Sequence, residues 1–275
     1  MKIKQIKLII MLAFFAAACS PRQSKTAEAL KFETIEVENF EKHPKGTGET
    51  DGFSYKIKMV YPSEYGDPAV LEKLQARFIH YTLGEDYLLM MSGNNPATLE
   101  KTVDAYINVL KQAYYNEVEE LQNINSDPDM VIGWHIECSN TIPFRNETLL
   151  QLQTKFGLYP YSAHSFESAS CHLFNLQTGE EYTRDEVFKP EAAVNIRQLI
   201  IPELIRQWGE EMEFDRSKVW TAETNFAFTD EGLFIVYNAD DLDAFTIGCT
   251  SLILPYEKIT PYLREEFVIQ LKLLL

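Results

Sequence analysis

Residues 161–189, YSAHSFESASCHLFNLQTGEEYTRDEVFK, constrain the fold more than any other stretch, because they read without interruption as a strand, a tight turn, a second short strand and the start of a helix. From Phe166 to Leu176 the chain is rich in small and apolar residues. Gln177, Thr178 and Gly179 then supply a turn in which Gly179 takes positive φ at no steric cost. Tyr182 continues as a partner strand, and Phe188 is the apolar residue before Lys189 and Pro190 open a helix. A chain organised around such a unit is expected to be α+β, a mostly antiparallel sheet with packed helices.

The flanking sequence agrees with that class. Residues 32–40 and 53–61 are enriched in β-branched and aromatic residues and are separated by the turn-forming HPKGTGETDG. Asp67 and Pro68 are a helix N-cap and first helical position, and Val70, Leu71, Leu74, Phe78 and Tyr81 follow at helical spacing. Asn95-Pro96 repeats the start signal. Leu99, Val103, Tyr106, Leu110 and Tyr114 then mark a longer helix that ends in an acidic stretch containing Glu117, Glu119 and Glu120.

Residues 130–142 alternate as a strand that Pro143 is expected to break, and residues 149–158 form the next strand, reached through Arg145-Asn146. The helix from Pro190 to about Trp208 presents Ala193, Ile196, Leu199, Ile200 and Leu204, with Pro202 expected to kink or divide it. A hairpin over residues 225–238 turns at Asp230-Glu231-Gly232, and a last strand over residues 250–254 leads into a short helical turn. No linker separates the halves. The expected organisation is two closely associated lobes, residues 31–129 and 130–275.

Residues 1–18 place Lys2, Lys4 and Lys7 before the apolar run LIIMLAFFAAA and end in Ala16-Ala17-Ala18-Cys19, the grammar of a bacterial lipoprotein signal peptide with Cys19 as the lipidated residue. The run is shorter than the roughly 20 apolar residues of a membrane span. Residues 19–30 then read as a tether. The expected location is the cell envelope, periplasmic or surface-exposed, with the membrane engaged through lipid alone. Cleavage would leave 22 basic against 41 acidic residues, a net charge of −19 where the whole chain carries −16. That balance repels nucleic acid and favours a cationic partner.

Several of these elements resemble the extracytoplasmic domain of unknown function at the C-terminus of RsiV-type anti-sigma factors and PdaC-type peptidoglycan deacetylases. The residues that carry the resemblance are Ala163-His164, the turn Asn175 to Gly179, Asp185 to Lys189, FTDEG at 228–232, Tyr237-Asn238 and LPYEKITPYL at 254–263. The resembled domain has glycine before its Ala-His step, where this chain has Tyr161 and Ser162. The resemblance implies two ligand classes: a basic protein such as lysozyme, which RsiV-type receptors bind, or peptidoglycan or another glycan. It does not carry over either parent's activity, because the catalytic module of the one and the cytoplasmic segment of the other are not in this sequence. A structural or assembly role in the envelope is the third reading.

The chemistry-bearing residues are few. Besides Cys19 the chain has Cys138, Cys171 and Cys249, an odd number in strand-like apolar settings, and the expectation is three buried, inert thiols, with Cys138–Cys171 the bridge if one forms. His135 and Cys138 are three apart, and Cys171 and His172 are adjacent. In a strand both spacings point to opposite faces, so no metal site is expected. No nucleophile elbow, zinc-binding helix, phosphate loop or dinucleotide fingerprint is present, so neither catalysis nor a cofactor is expected. The candidate binding residues are His164, which a strand start presents to a loop, and the acidic clusters Glu117, Glu119, Glu120 and Asp240, Asp241, Asp243. Glu210, Glu211 and Glu213 form a further acidic group.

Overall fold

A computed structural model describes residues 30–84, 98–125, 129–160, 166–210, 213–243 and 248–272. The fold is α+β, with a five-stranded sheet and a three-stranded sheet, in each of which the strands lie side by side in chain order. The chain divides into two compact units, residues 1–140 with 157–166, and residues 141–156 with 167–275. The boundaries at 140/141, 156/157 and 166/167 therefore each fall inside a strand.

In the first unit β1 (Lys31–Lys42) and β2 (Gly52–Glu64) pair antiparallel, and β2 alternates so that Phe53, Tyr55, Ile57 and Met59 are buried. Two helices cover that face. The first, α1 (Pro68–Leu83), begins as its sequence predicts, with the Asp67 carboxylate accepting from the Ala69 and Val70 N–H groups and Pro68 in the first turn. Its buried residues are Val70, Leu74, Phe78, Thr82 and Leu83, while Leu71 and Tyr81 are half-buried. The second, α2 (Leu99–Asn125), buries Val103, Tyr106, Leu110, Tyr114 and Val118 along one stripe. The start signal at Asn95-Pro96 lies outside the described residues.

The strand β3 (Trp134–Arg145) pairs with β2 in parallel, from Phe53↔Trp134 to Lys58↔Ser139. A parallel pair needs a long crossover, and α1 and α2 supply it. Pro143 does not end β3. It lies past the last residue paired with β2, where a missing N–H costs no ladder bond on that edge. At the end of that ladder the buried Asn140 takes over: its Oδ1 accepts from Val60 N at 2.7 Å, and its Nδ2 donates to Val60 O at 3.1 Å and to Thr82 Oγ1 at 2.7 Å.

In the second unit β4 (Leu149–Pro160) starts after an Asn146 turn, whose Oδ1 accepts from the Thr148 and Leu149 N–H groups. Next comes β5 (Phe166–Asn175). Gly179, at φ +72°, reverses the chain after it, and Phe174 bridges Glu181. The expected partner strand at Tyr182 is thus one isolated bridge, although Tyr182 N does donate to Leu173 O at 2.7 Å. A capping box of Thr183 and Glu186 opens the single turn α3 (Arg184–Val187).

The helix α4 (Ala192–Trp208) buries Ala192, Ile196, Ile200 and Leu204 and runs unbroken through Pro202. Gln198, whose carbonyl Pro202 leaves without an N–H partner, is exposed, as is Pro202, so water can serve the freed group. The strands β6 (Asn225–Phe228), β7 (Gly232–Tyr237) and β8 (Thr250–Pro255) form an antiparallel meander. Gly232 is required at its turn: at φ +149° an added Cβ would lie 2.2 Å from Leu254 O. The turns α5 (Tyr256–Ile259) and Thr260–Tyr262 and the helix α6 (Glu265–Gln270) close the core around Trp220, Phe226, Phe228 and Leu254.

Candidate functional site

The turn after β7 is held by three local devices. Asn238 N donates to Asp241 Oδ2 at 2.7 Å while Asp241 N donates to Asn238 O at 3.1 Å, so each residue satisfies the other. Leu242 is 1% exposed and anchors the turn in the core, and its carbonyl accepts from Asp215 N at 3.0 Å. Asp243 takes φ +57° and accepts from Lys218 Nζ at 2.6 Å. Together these fix Asp240, Asp241 and Asp243 along one rim.

Two recesses open beside that rim. The first, ≈ 360 Å³, is lined by Asp240 and Asp241 with Lys218, Glu223, Thr224 and Tyr237 among its walls. The second, ≈ 580 Å³, is lined by Asp243 with Glu210, Glu213, Phe214, Asp215 and Arg216. Burial, reinforced by the neighbouring charges of Asp240 and Glu223, holds the Asp241 carboxyl above its ordinary range despite the Asn238 N–H and Lys218. Tyr237 is buried, and its hydroxyl, though close enough to Trp220 and Thr224 to be influenced by them, meets neither at hydrogen-bonding geometry. Burial raises its pKa. A crowded set of carboxylates on this rim is chemically suited to an ammonium or guanidinium group.

A second constellation lies on β5. Ser170 and His172 share one face of the strand, and the Gly179 turn brings Glu181 back beside them. Thr154 Oγ1 is 2.6 Å from Ser170 Oγ, Ser170 Oγ is 2.8 Å from His172 Nε2, and His172 Nδ1 is 2.7 Å from Glu181 Oε1. The edge of β5 is closed by asparagines: Ala169 N donates to Asn238 Oδ1 at 2.8 Å, Asn238 Nδ2 returns a bond to Ala169 O at 3.2 Å, and Cys171 N reaches Asn225 Oδ1 at 3.4 Å.

Of the residues named from sequence, Cys19 and His164 lie outside the described residues, as does Glu211. Glu117 is half-buried and Glu119 and Glu120 are exposed on α2, so they belong to the first unit and the aspartates to the second. Glu210 and Glu213 join the second recess. Cys138, Cys171 and Cys249 are all free. Burial pushes the Cys138 thiol up to about 11, against the Tyr106 hydroxyl, and the Cys171 thiol up to about 12. The expectation of three buried thiols is corrected at two positions: Cys171 is half-buried on β5, and Cys249, in the bend before β8, is exposed, so Cys138 alone is buried. Among the described residues no group of three or more His, Cys, Asp or Glu is placed to hold a metal ion, and no helix is long and apolar enough to cross a membrane. Sequence reasoning missed Tyr237 and the Ser170–His172–Glu181 line. The second had a visible signal in the serine and histidine two apart on one strand.

The fold is shared with solved proteins. A member of the DUF3298 family from Bacteroides fragilis matches with a TM-score of 0.69 at 20% identity, covering 88% of this chain and 96% of that chain. A DUF3298 family protein from Pseudomonas aeruginosa matches with a TM-score of 0.51 at 14% identity, covering 87% of this chain and 97% of that chain. No family model and no curated protein matches the sequence. At these identities the likeness is one of fold, the fold of a family defined as a domain of unknown function.

Proposed function

We propose that this chain is a lipid-anchored binding or sensing module of the bacterial cell envelope, and that it captures a basic protein, lysozyme-like in charge, through the aspartate turn. The observation that carries the reading is the fixed rim of Asp240, Asp241 and Asp243 with acid-lined recesses on its flanks. The net charge of −19 that cleavage before Cys19 would leave extends the attraction beyond the rim and disfavours nucleic acid. Recesses walled by carboxylates suit a protein's lysines and arginines better than the neutral faces of a sugar, which stack on exposed aromatics. The sequence before Cys19 supports the anchor, and incorporation of labelled fatty acid, lost in Cys19→Ala, tests it.

The test of the partner is a salt series on the immobilised chain, titrated with lysozyme and separately with soluble peptidoglycan fragments. At 0.15 M ionic strength the Debye length is about 8 Å, so added salt should cut the association rate steeply and leave dissociation nearly constant. Absence of lysozyme binding at low salt would overturn the reading. Saturable binding of the fragments alone would move the ligand to a glycan.

A further inference from the structure

We infer that Ser170 is an activated nucleophile, with His172 as its general base and Glu181 orienting that base, and that it accepts the acyl group of small esters. This goes beyond the binding reading and stands on different residues. The proton order along the line is dictated by its end. A carboxylate only accepts, so His172 Nδ1 carries the hydrogen directed at Glu181, and in the neutral imidazole Nε2 is then an acceptor. Ser170 must donate its hydroxyl proton to Nε2, and Thr154, from β4, must donate in turn to Ser170. Every hydrogen in the line therefore points from Thr154 towards Glu181, which is the polarity a serine nucleophile needs.

The framework holds this arrangement without a nucleophile elbow. Residues two apart share a strand face, which pairs Ser170 with His172. The Phe174–Glu181 bridge fixes the height of the carboxylate, and the Phe174 ring stacks on the imidazole at 6.5 Å and 26°. The His172 side chain is 12% exposed, which shields its charge-assisted bond, while Ser170 is half-buried.

In the acylation step Ser170 Oγ bonds to the ester carbonyl carbon as its proton passes to His172 Nε2. The bond from that carbon to the leaving oxygen breaks, and Nε2 returns the proton to the departing alkoxide. Water then attacks the acyl-serine with His172 as base, releasing the acid and restoring the hydroxyl. The neighbouring Ala169 and Cys171 N–H groups are occupied by Asn238 and Asn225, so neither stabilises the oxyanion. Such a donor is worth about 10² to 10³ in rate. With a p-nitrophenyl ester, acylation expels a good leaving group and deacylation a poor one, so the expected course is a stoichiometric burst followed by slow turnover.

The experiment uses the full chain with p-nitrophenyl acetate and with a fluorophosphonate probe, which selects serine over the exposed Cys249. The label should map to Ser170 by peptide mass and vanish in Ser170→Ala. In His172→Gln labelling should slow by about 10² or more, the usual contribution of a general base. Glu181→Gln should slow it similarly, because a carboxamide donating to Nδ1 leaves the proton on Nε2. Melting curves establish that the variants are folded. Failure of wild-type Ser170 to take the label, or an unchanged rate in folded His172→Gln, overturns the proposal.

Discussion

Glu117, Glu119 and Glu120 near the end of α2 and Asp240, Asp241 and Asp243 after β7 are two groups of three carboxylates, and the molecule treats them differently. On the helix the side chains fan out around the axis, the backbone bonds are made without them, and two of the three are exposed. On the turn one carboxylate completes a backbone bond, one holds Lys218, and the buried Leu242 keeps all three on one rim. Equal charge thus gives a solvated surface in one place and a fixed field beside two recesses in the other. The geometry of the supporting backbone makes the difference, which charge counting cannot register.

The largest expected effect comes from removing the turn's anchor. Leu242→Ala should cost about 2–5 kcal/mol in urea unfolding, the usual range for truncating a buried leucine. A loss under about 1 kcal/mol would show that the aspartate turn is held by its surface bonds alone and would narrow the contrast with α2.

Charge removal separates the groups more directly. Asparagine at Asp240, Asp241 and Asp243 together should slow association with lysozyme at low salt by roughly ten-fold, the lower end of electrostatic steering. Glutamine at Glu117, Glu119 and Glu120 should slow it by less than about two-fold. Stopped-flow rates for both triple variants decide the matter, and equal slowing would erase the distinction.

The smallest effect sharpens the comparison through pH. Because the Asp241 carboxyl titrates above its ordinary range, the native chain holds that proton more tightly than the unfolded chain does. Its contribution to stability is therefore favourable at low pH and is lost as pH rises from the unfolded value through the raised native one. Burial is the main cause of the shift, with Asp240 and Glu223 adding to it and the Asn238 N–H and Lys218 opposing it. Asp241 is only partly buried, so solvent screening keeps the loss small. Asp241→Asn should be slightly more stable than wild type at pH 7, with the difference closing towards about pH 4. Melting curves across that range would show otherwise if the difference stays constant.

Local signals in the sequence were faithful guides. Asp67-Pro68 capped α1, the stripe from Val103 to Tyr114 was the buried face of α2, and Gly179 and Gly232 stood at chain reversals, because each depends on neighbours within a few residues. Features that depend on distant partners were not legible. Pro143 is tolerated because the β2 ladder has already stopped, and Pro202 because its side of α4 is exposed. For the site, sequence named the three aspartates, but the burial of Asp241 and the placement of Tyr237 come from loops folded against them. Ser170 and His172 were visible as a pair two residues apart, whereas the return of Glu181 depends on how the Gly179 turn closes.

Asn140, Gln151 and Asn238 share one occupation. Each uses its carboxamide as a spare peptide group: Asn140 serves Val60, Asn238 serves Ala169, and the fully buried Gln151 donates to His172 O and Phe226 O and accepts from Phe228 N. These positions reverse the usual sense of a conservative mutation. One base change in the codon turns asparagine into aspartate or glutamine into glutamate, with almost no change in shape. It removes the donor and sets a negative oxygen against a main-chain carbonyl. The genetic code thus places strongly disruptive replacements at these positions one nucleotide away, disguised as near-synonyms.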